Sequence, residues 1–329
     1  MRIDIAGFAR GAPDMPHERL MQVCERADAL GFGGIWFNEF HFQPTPQAYP
    51  STLLLASAAL ARTKALRVGT SIVVLPLYHP LMLAEMVAQL HWQSGGRFDL
   101  GIGRGTHPDT LRCLGIAPED TRRLFESAYD VLTAALYSVA TIEADSPWPA
   151  SDTPVGPLLA GQNVPIYVGG STEETIGFAA KHALPLLLSL EPPETAQCAV
   201  YSQTIKRDSL VDRSAEFSLS RFAFVARSKS AAEALMTERY DLFHRRRIDA
   251  AQRAGRDITR IGPPDLDRFR DTQAIVGTPD ECAEQIAALG AKHGISSIRL
   301  VFNGNGALDD EAAINEMTLL GKGTLPHFR

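Results

Sequence analysis

Short apolar runs alternate with amphipathic segments along nearly the whole chain. The first run, 3–8, predicts a strand, and 17–30 carries apolar residues at helical spacing, closed by Gly31. A second strand follows at 34–37, then a helix over 51–62 with Ser51 at its N-cap. The third strand, 66–74, is rich in β-branched residues, and the helix over 81–93 ends at Gly95 and Gly96. A fourth strand at 98–102 precedes a helix around 121–137. Strands five, six and seven are predicted at 166–168, 185–189 and 216–226, with helices at 172–182 and 194–207 between them. A helical region starts at Ser230. Thr278 and Pro279, an N-cap followed by an N1 proline, open a helix to about Leu289. The eighth strand is 297–302 and the closing helix 311–320. Two stretches interrupt the rhythm: the polar, proline-containing 145–162, and 245–271, whose part from Arg256 to Asp271 is charged and irregular.

Repeated strand-then-helix units imply a parallel sheet covered on both faces, and a count of eight selects a closed barrel over an open sheet. The expected fold is therefore α/β, a (β/α)8 TIM barrel. One domain is expected over 1–329, with excursions near 145–162 and 245–271.

Composition narrows the function. The 329 residues are 45% hydrophobic and 21% charged, enough for a sizeable core. With 32 basic and 38 acidic side chains the formal charge is −6, which argues against nucleic acid as a partner. Arg245–Arg247 is a short basic cluster that fits a solvated helix face. Cys24, Cys113, Cys198 and Cys282 are scattered without a CxxC pair, so neither a disulfide scaffold nor a zinc site is expected, and a reducing cytoplasm fits. The N-terminus has no long apolar stretch of a signal peptide, and no run is long enough for a membrane span. The nine histidines are dispersed, with no metal-ligand spacing.

In a barrel of this kind the active site is built from loops at the C-terminal ends of the strands. Two of these loops carry an anion-binding signal. In IGRGTHPD, Arg104 sits between two glycines with Thr106 nearby, a guanidinium fork where backbone allows close approach. In VGGSTEET, Gly169 and Gly170 lead into a helix whose first turn offers Ser171, Thr172 and Thr175 beside unpaired backbone N–H groups. Each signal has a plain alternative, a surface turn and a capped helix. Both on adjacent strands favour a phosphorylated cofactor. The aromatic side chains Phe8, Trp36, Phe40, Phe42 and Tyr78 fall on or near the same face and suit a water-excluding rim, or ordinary packing. No GxGxxG fingerprint opens a βαβ unit, so tight nicotinamide dinucleotide binding is not expected.

The runs GFGGIWFNEFHF, LRVGTSIVVLPLYHPLMLAE, SGGRFDLGIGRG, VPIYVGGSTEETIGFAAKHALP, VGTPDECAEQI and the terminal LPHFR resemble, in this order, the bacterial luciferase-like flavin-dependent monooxygenases. The resemblance extends from about Ile3 to Arg329 and is weakest near 145–162 and 245–271. It implies that Arg104 and Thr106, with Gly170, Ser171, Thr172 and Thr175, hold the phosphate of FMN. It also implies a non-proline cis peptide at Ser71-Ile72 beneath the flavin ring. Two departures stand out. The family's Glu-His-His-Phe is here Glu39-Phe40-His41-Phe42, so the catalytic histidine position holds Phe40, and a reactive cysteine of luciferase is replaced by Gly103. Long-chain aldehyde oxidation with light emission is therefore not expected.

The resulting expectation is an FMNH2-dependent monooxygenase using O2 on a small organic substrate. Its reduced flavin would come from a separate flavin reductase. His41 and Glu39 are the candidate catalytic residues; Phe8, Phe40, Tyr78 and His107 are candidates for the substrate pocket. The family resemblance also admits an F420-dependent oxidoreductase, and the loss of the histidine at Phe40 a non-catalytic flavin-binding subunit. Family members often dimerise through early helices, and 51–61 and 81–90 are apolar enough to make a homodimer the expectation.

Overall fold

The computed structural model describes residues 1–9, 15–42, 48–105, 107–137, 147–148, 155–157, 159, 161–253, 258–261, 263–302 and 310–328. Eight parallel strand positions close into a ring. In chain order the elements are β1 (Arg2–Ala6), α1 (His17–Leu30), β2 (Gly34–Phe37), α2 (Thr52–Arg62), β3 (Arg67–Thr70) and β4 (Val73–Val74). Then come α3 (Pro80–Gln93), β5 (Phe98–Gly103), α4 (Pro108–Cys113), α5 (Thr121–Tyr137), β6 (Ile166–Gly169), α6 (Glu173–Lys181) and β7 (Leu186–Leu187). The chain continues through α7 (Glu194–Asp208), β8 (Ser218–Val225), α8 (Lys229–Arg253), α9 (Leu266–Gln273) and β9 (Ala274–Gly277). It ends with α10 (Pro279–His293), β10 (Ser297–Val301) and α11 (Asp310–Gly323).

Pairing runs β1, β2, β3, β5, β6, β7, β8, β10, and β10 returns to β1 with Ile3 opposite Ile298 and Ile5 opposite Leu300. β3 and β4 are two halves of the predicted third strand: Val68 faces Phe98 on β5, and Val73 faces Ile102 further along it. The break falls at Ser71-Ile72, a non-proline cis peptide bond. The (β/α)8 barrel expected from the alternation is the architecture observed.

The helix ends follow their local chemistry. The Ser51 hydroxyl accepts from Leu54 N, Gly31 takes a left-handed φ of 90° that ends α1, and Thr278 and Glu281 form a reciprocal capping box at α10. One expectation is corrected: 256–271 is not irregular throughout. α9 starts at Leu266, with the Asp265 side chain accepting from Arg268 N, and an unforeseen short strand, β9, pairs with the far half of β8. Most of 145–162 lies outside the described residues.

The largest apolar core lies between the strands and the outer helices, and a smaller one, Trp36, Tyr167 and Leu187 with Ala6 and Ile72, fills the barrel interior. Near the strand starts the interior is ionic. Arg2 bridges Asp4 (2.9 Å) and Asp99 (3.2 Å), Arg67 pairs with Asp99 (2.5 Å), and Trp36 Nε1 donates to Asp4 (2.8 Å). This charged layer leaves the site at the opposite end of the strands.

Candidate functional site

A cavity of about 300 Å3 opens where β2, β4 and β5 end. Glu39, Phe40 and His41 line it from the loop after β2, Ser71, Ile72, Val74 and Leu77 from the third strand and its loop, and Gly105, His107, Thr110 and Leu111 from the segment after β5. Larger grooves of about 700 and 820 Å3 lie on the flank of the barrel between helices, away from the strand ends. The smaller cavity is the functional candidate because it sits where barrel enzymes assemble their chemistry.

Glu39 is the buried polar centre of this cavity. Its Oε2 accepts from Tyr78 Oη (2.9 Å), its Oε1 accepts from Val74 N (3.4 Å), and His41 Nε2 lies 3.3 Å from Oε1. A carboxylate held by a phenol and a backbone amide orients the imidazole beside it. Burial, then the neighbouring carboxylate, pushes the Tyr78 hydroxyl far above its ordinary value, so Tyr78 remains a donor. The backbone of His41 is tied down in turn, since Thr110 Oγ1 donates to its carbonyl at 2.6 Å.

The floor of the cavity is Ser71-Ile72. Ser71 N donates to the Phe37 carbonyl (2.7 Å) and its own carbonyl accepts from Asn38 Nδ2 (2.6 Å). The Ile72 side chain fills space left open by two glycines: a Cβ on Gly103 would stand 2.1 Å from Ile72 Cδ1, and one on Gly169 2.5 Å from Ile72 Cγ2. The absence of a cysteine at 103 therefore has a packing reason, because any side chain there displaces Ile72.

Next to the floor lies a cationic cradle. Thr172 caps α6, accepting from Thr175 N (3.4 Å), and Arg122 on α5 donates from Nη2 to Thr175 Oγ1 (3.1 Å). Arg122 Nη1 is buried without a hydrogen-bond partner among the described residues, with Glu126 3.8 Å away. Arg104 is half-buried, and no ion pair joins it to another described residue. The Glu174 carboxyl is held below its usual range by its own backbone N–H and the Thr172 side chain, then by Arg122 and Arg104. An exposed carboxylate of the chain itself thus settles on the helix start, as expected of an anion site. An orphaned guanidinium N–H, a second uncommitted arginine and a helix N-terminus fit the phosphate of a flavin-type cofactor.

The structure brings Glu39, Phe40, His41, Ser71 and His107 into one cavity. Gly170, Ser171, Thr172 and Thr175 stand at the α6 start, where a Cβ on Gly170 would meet Thr175 Cγ2 at 2.6 Å. Thr106 lies outside the described residues. Phe8 is fully buried in the main core against Phe302 and does not line the cavity, while Tyr78 stands behind Glu39 instead of facing the open space. Trp36 is in the barrel interior, not on the rim. Arg122, Thr110 and Leu111 escaped the sequence reading. Arg122 carried a signal, since paired arginines open α5 in DTRRLFES, one helix before the predicted phosphate loop.

Residues 4–297 match the sequence profile of the luciferase-like monooxygenases. Limonene 1,2-monooxygenase of Rhodococcus erythropolis is 27% identical over 333 aligned positions, covering 94% of this chain and 80% of that enzyme. The oxygenating constituent of 3,6-diketocamphane monooxygenase from Pseudomonas putida, solved with FMN, superposes with a TM-score of 0.74 at 20% identity, covering 99% of this chain and 98% of the other. The coenzyme F420-dependent tetrahydromethanopterin reductase of Methanopyrus kandleri superposes at 0.71 with 19% identity, covering 100% and 99%.

Proposed function

Because the chain belongs to the luciferase-like monooxygenase family, we propose that it uses reduced FMN and O2 to oxygenate a small organic substrate. The observation that carries this reading is the adjacency of a partly apolar cavity, floored by Ser71-Ile72, to the cradle of Arg104, Arg122 and the α6 N-terminus. Arg104, Arg122, Ser171, Thr172 and Thr175 would hold the phosphate, and the floor would carry the ring. When bound, reduced flavin supplies the oxygen-activating chemistry, so the chain's own tasks are binding, orientation, water exclusion and proton handling. Phe40, Ile72, Val74, Leu77 and Leu111 exclude water. His41, oriented by Glu39, holds or delivers a proton at Nε2. Phe40 stands where related enzymes have a histidine, and on this reading His41 serves in its place.

Reduced flavin would be delivered by a separate reductase. The purified chain, supplied with FMN and an unrelated NADH-driven flavin reductase, should form product carrying one oxygen from O2, and none under anaerobic conditions. Failure to bind FMN in either redox state would sink the proposal. The likeness to an F420-dependent reductase supports a second reading, hydride exchange with F420, which the same protein would reveal by O2-independent turnover.

For assembly we propose a homodimer. Leu54 on α2 and Met82 and Met86 on α3 are 76%, 54% and 39% exposed on adjacent helices, an apolar face suited to a second copy. Leu54→Asp combined with Met86→Asp should convert a dimer into a monomer by light scattering; a native chain already monomeric at micromolar concentration refutes it.

A further inference from the structure

Arg299 sits mid-strand on β10 with its side chain inside the barrel, and it is 5% exposed. Its Nη1 donates to Ser71 Oγ (3.0 Å), and its Nη2 to the carbonyls of Leu188 (3.0 Å) and Ser218 (3.2 Å). The guanidinium stands over the Trp36 ring at 5.6 Å, and Nε has no hydrogen-bond partner among the described residues. No carboxylate bonds to it there. Asp4, the nearest acid in electrostatic terms, is taken by Arg2 and Trp36, and Asp99 by Arg2 and Arg67. Among the described residues, Arg2 and Arg67, each about a quarter exposed, thus hold Asp4 and Asp99, and Arg299 is left without a carboxylate partner. Burial lowers the Arg299 pKa to about 10, still cationic at neutral pH.

An unmatched buried cation is costly to a fold, and a well-packed apolar residue would serve stability better. Among the described residues, its one hydrogen bond to another side chain goes to Ser71, on the cavity floor. That bond has a further effect. A hydroxyl offers one proton and two lone pairs, and a guanidinium accepts nothing, so Ser71 keeps its own proton for another acceptor. Among the described residues none takes it, and the floor above Ser71 is the open side.

We infer that Arg299 is a positioning residue for the ring-binding floor: through Ser71 it presents a polarised O–H donor and a positive potential that favour an anionic ring over a neutral one. This rests on reading the cavity as the flavin site. A reduced flavin ring bears a negative charge near neutral pH and the oxidised ring does not, so the arrangement selects the reduced cofactor, the form a diffusing reductase delivers.

The test compares the native chain with Arg299→Met, Arg299→Lys and Ser71→Ala, measuring affinity for oxidised FMN by fluorescence and the midpoint potential of bound FMN by spectroelectrochemistry. Arg299→Met is expected to lose at least tenfold in preference for the reduced form, a fall of about 30 mV for a two-electron couple. Arg299→Lys should recover most of it, and Ser71→Ala should lose severalfold with Arg299 still in place. An unchanged potential in Arg299→Met and Ser71→Ala, with native flavin binding intact, overturns the role of Arg299 alone. If Arg299→Met does not fold, Ser71→Ala decides by the same criterion. A native chain that binds no FMN in either state overturns the flavin site and this inference with it.

Discussion

The two ends of the barrel interior handle charge in opposite ways. At the strand starts, Arg2, Asp4, Arg67 and Asp99 form carboxylate–guanidinium pairs at 2.5 to 3.2 Å, with Asp4 Oδ1 buried without a hydrogen-bond partner among the described residues. Toward the strand ends, Arg122 Nη1 has no hydrogen-bond partner among the described residues, with Glu126 3.8 Å away, and Arg104 reaches Glu174 only through space; between the two ends, Arg299 donates to Ser71. The first arrangement is built from carboxylate–guanidinium pairs, whereas in the second Arg122 and Arg299 donate to the hydroxyls of Thr175 and Ser71. The same side chain therefore means different things by position, and the difference lies in its partners.

Breaking the upper set should leave the fold and remove the guest. Arg104→Ala with Arg122→Ala is expected to cost about 3–6 kcal/mol of FMN affinity, roughly a hundredfold to ten-thousandfold, since each charged hydrogen bond contributes about 1.5–3 kcal/mol. The melting temperature should stay close to native, and riboflavin, which lacks the phosphate, should bind native and variant alike. Breaking the lower set should do the reverse. Asp99→Asn strands Arg67 and leaves Arg2 with Asp4 alone, and a loss of about 2–3 kcal/mol in urea unfolding is expected, toward the low side for a buried pair because Arg2 and Arg67 are a quarter exposed. FMN affinity of the refolded protein should be unchanged.

Acid sensitivity should come from histidines of the outer layer. Burial lowers the pKa of His91, His182 and His293 below the usual 6.5. The unfolded chain then binds more protons than the folded one, so this stability is full above 6.5 and is lost as pH falls through that value toward the folded pKa values. Melting temperature should drop on acidification from about pH 7 to 5, and His182→Gln with His293→Gln should flatten the slope. The smallest effect concerns Glu174, whose carboxylate competes for the α6 start. Glu174→Gln should tighten FMN binding about two- to threefold, reading the phosphate through the helix N-terminus.

The barrel was legible because alternation of apolar runs with amphipathic segments is a local signal, and caps such as Ser51, Gly31 and Thr278 mark boundaries in a single residue. β9, four residues long, has no periodicity of its own and exists because β8 offers it an edge. α4 falls in a stretch that reads as loop in the sequence although Pro108 and Asp109 are good first-turn residues, since six residues are too few to show a face. The site was legible by parts. Arg104, His41 and the α6 start stand out in sequence, and Ser71-Ile72 came only through family resemblance. Arg299 looked like one more residue of a buried strand, because its significance depends on Ser71, 228 positions away.

Ile72, Gly103 and Gly169 share one pocket of volume, and that shapes how this barrel mouth can change. Enlarging either glycine alone collides with Ile72, and the carbonyl of Gly169 stands 2.9 Å from a Cβ on Gly103 as well. The three positions are therefore sterically coupled, so engineering a roomier cavity begins by trimming the branched side chain before anything around it is altered.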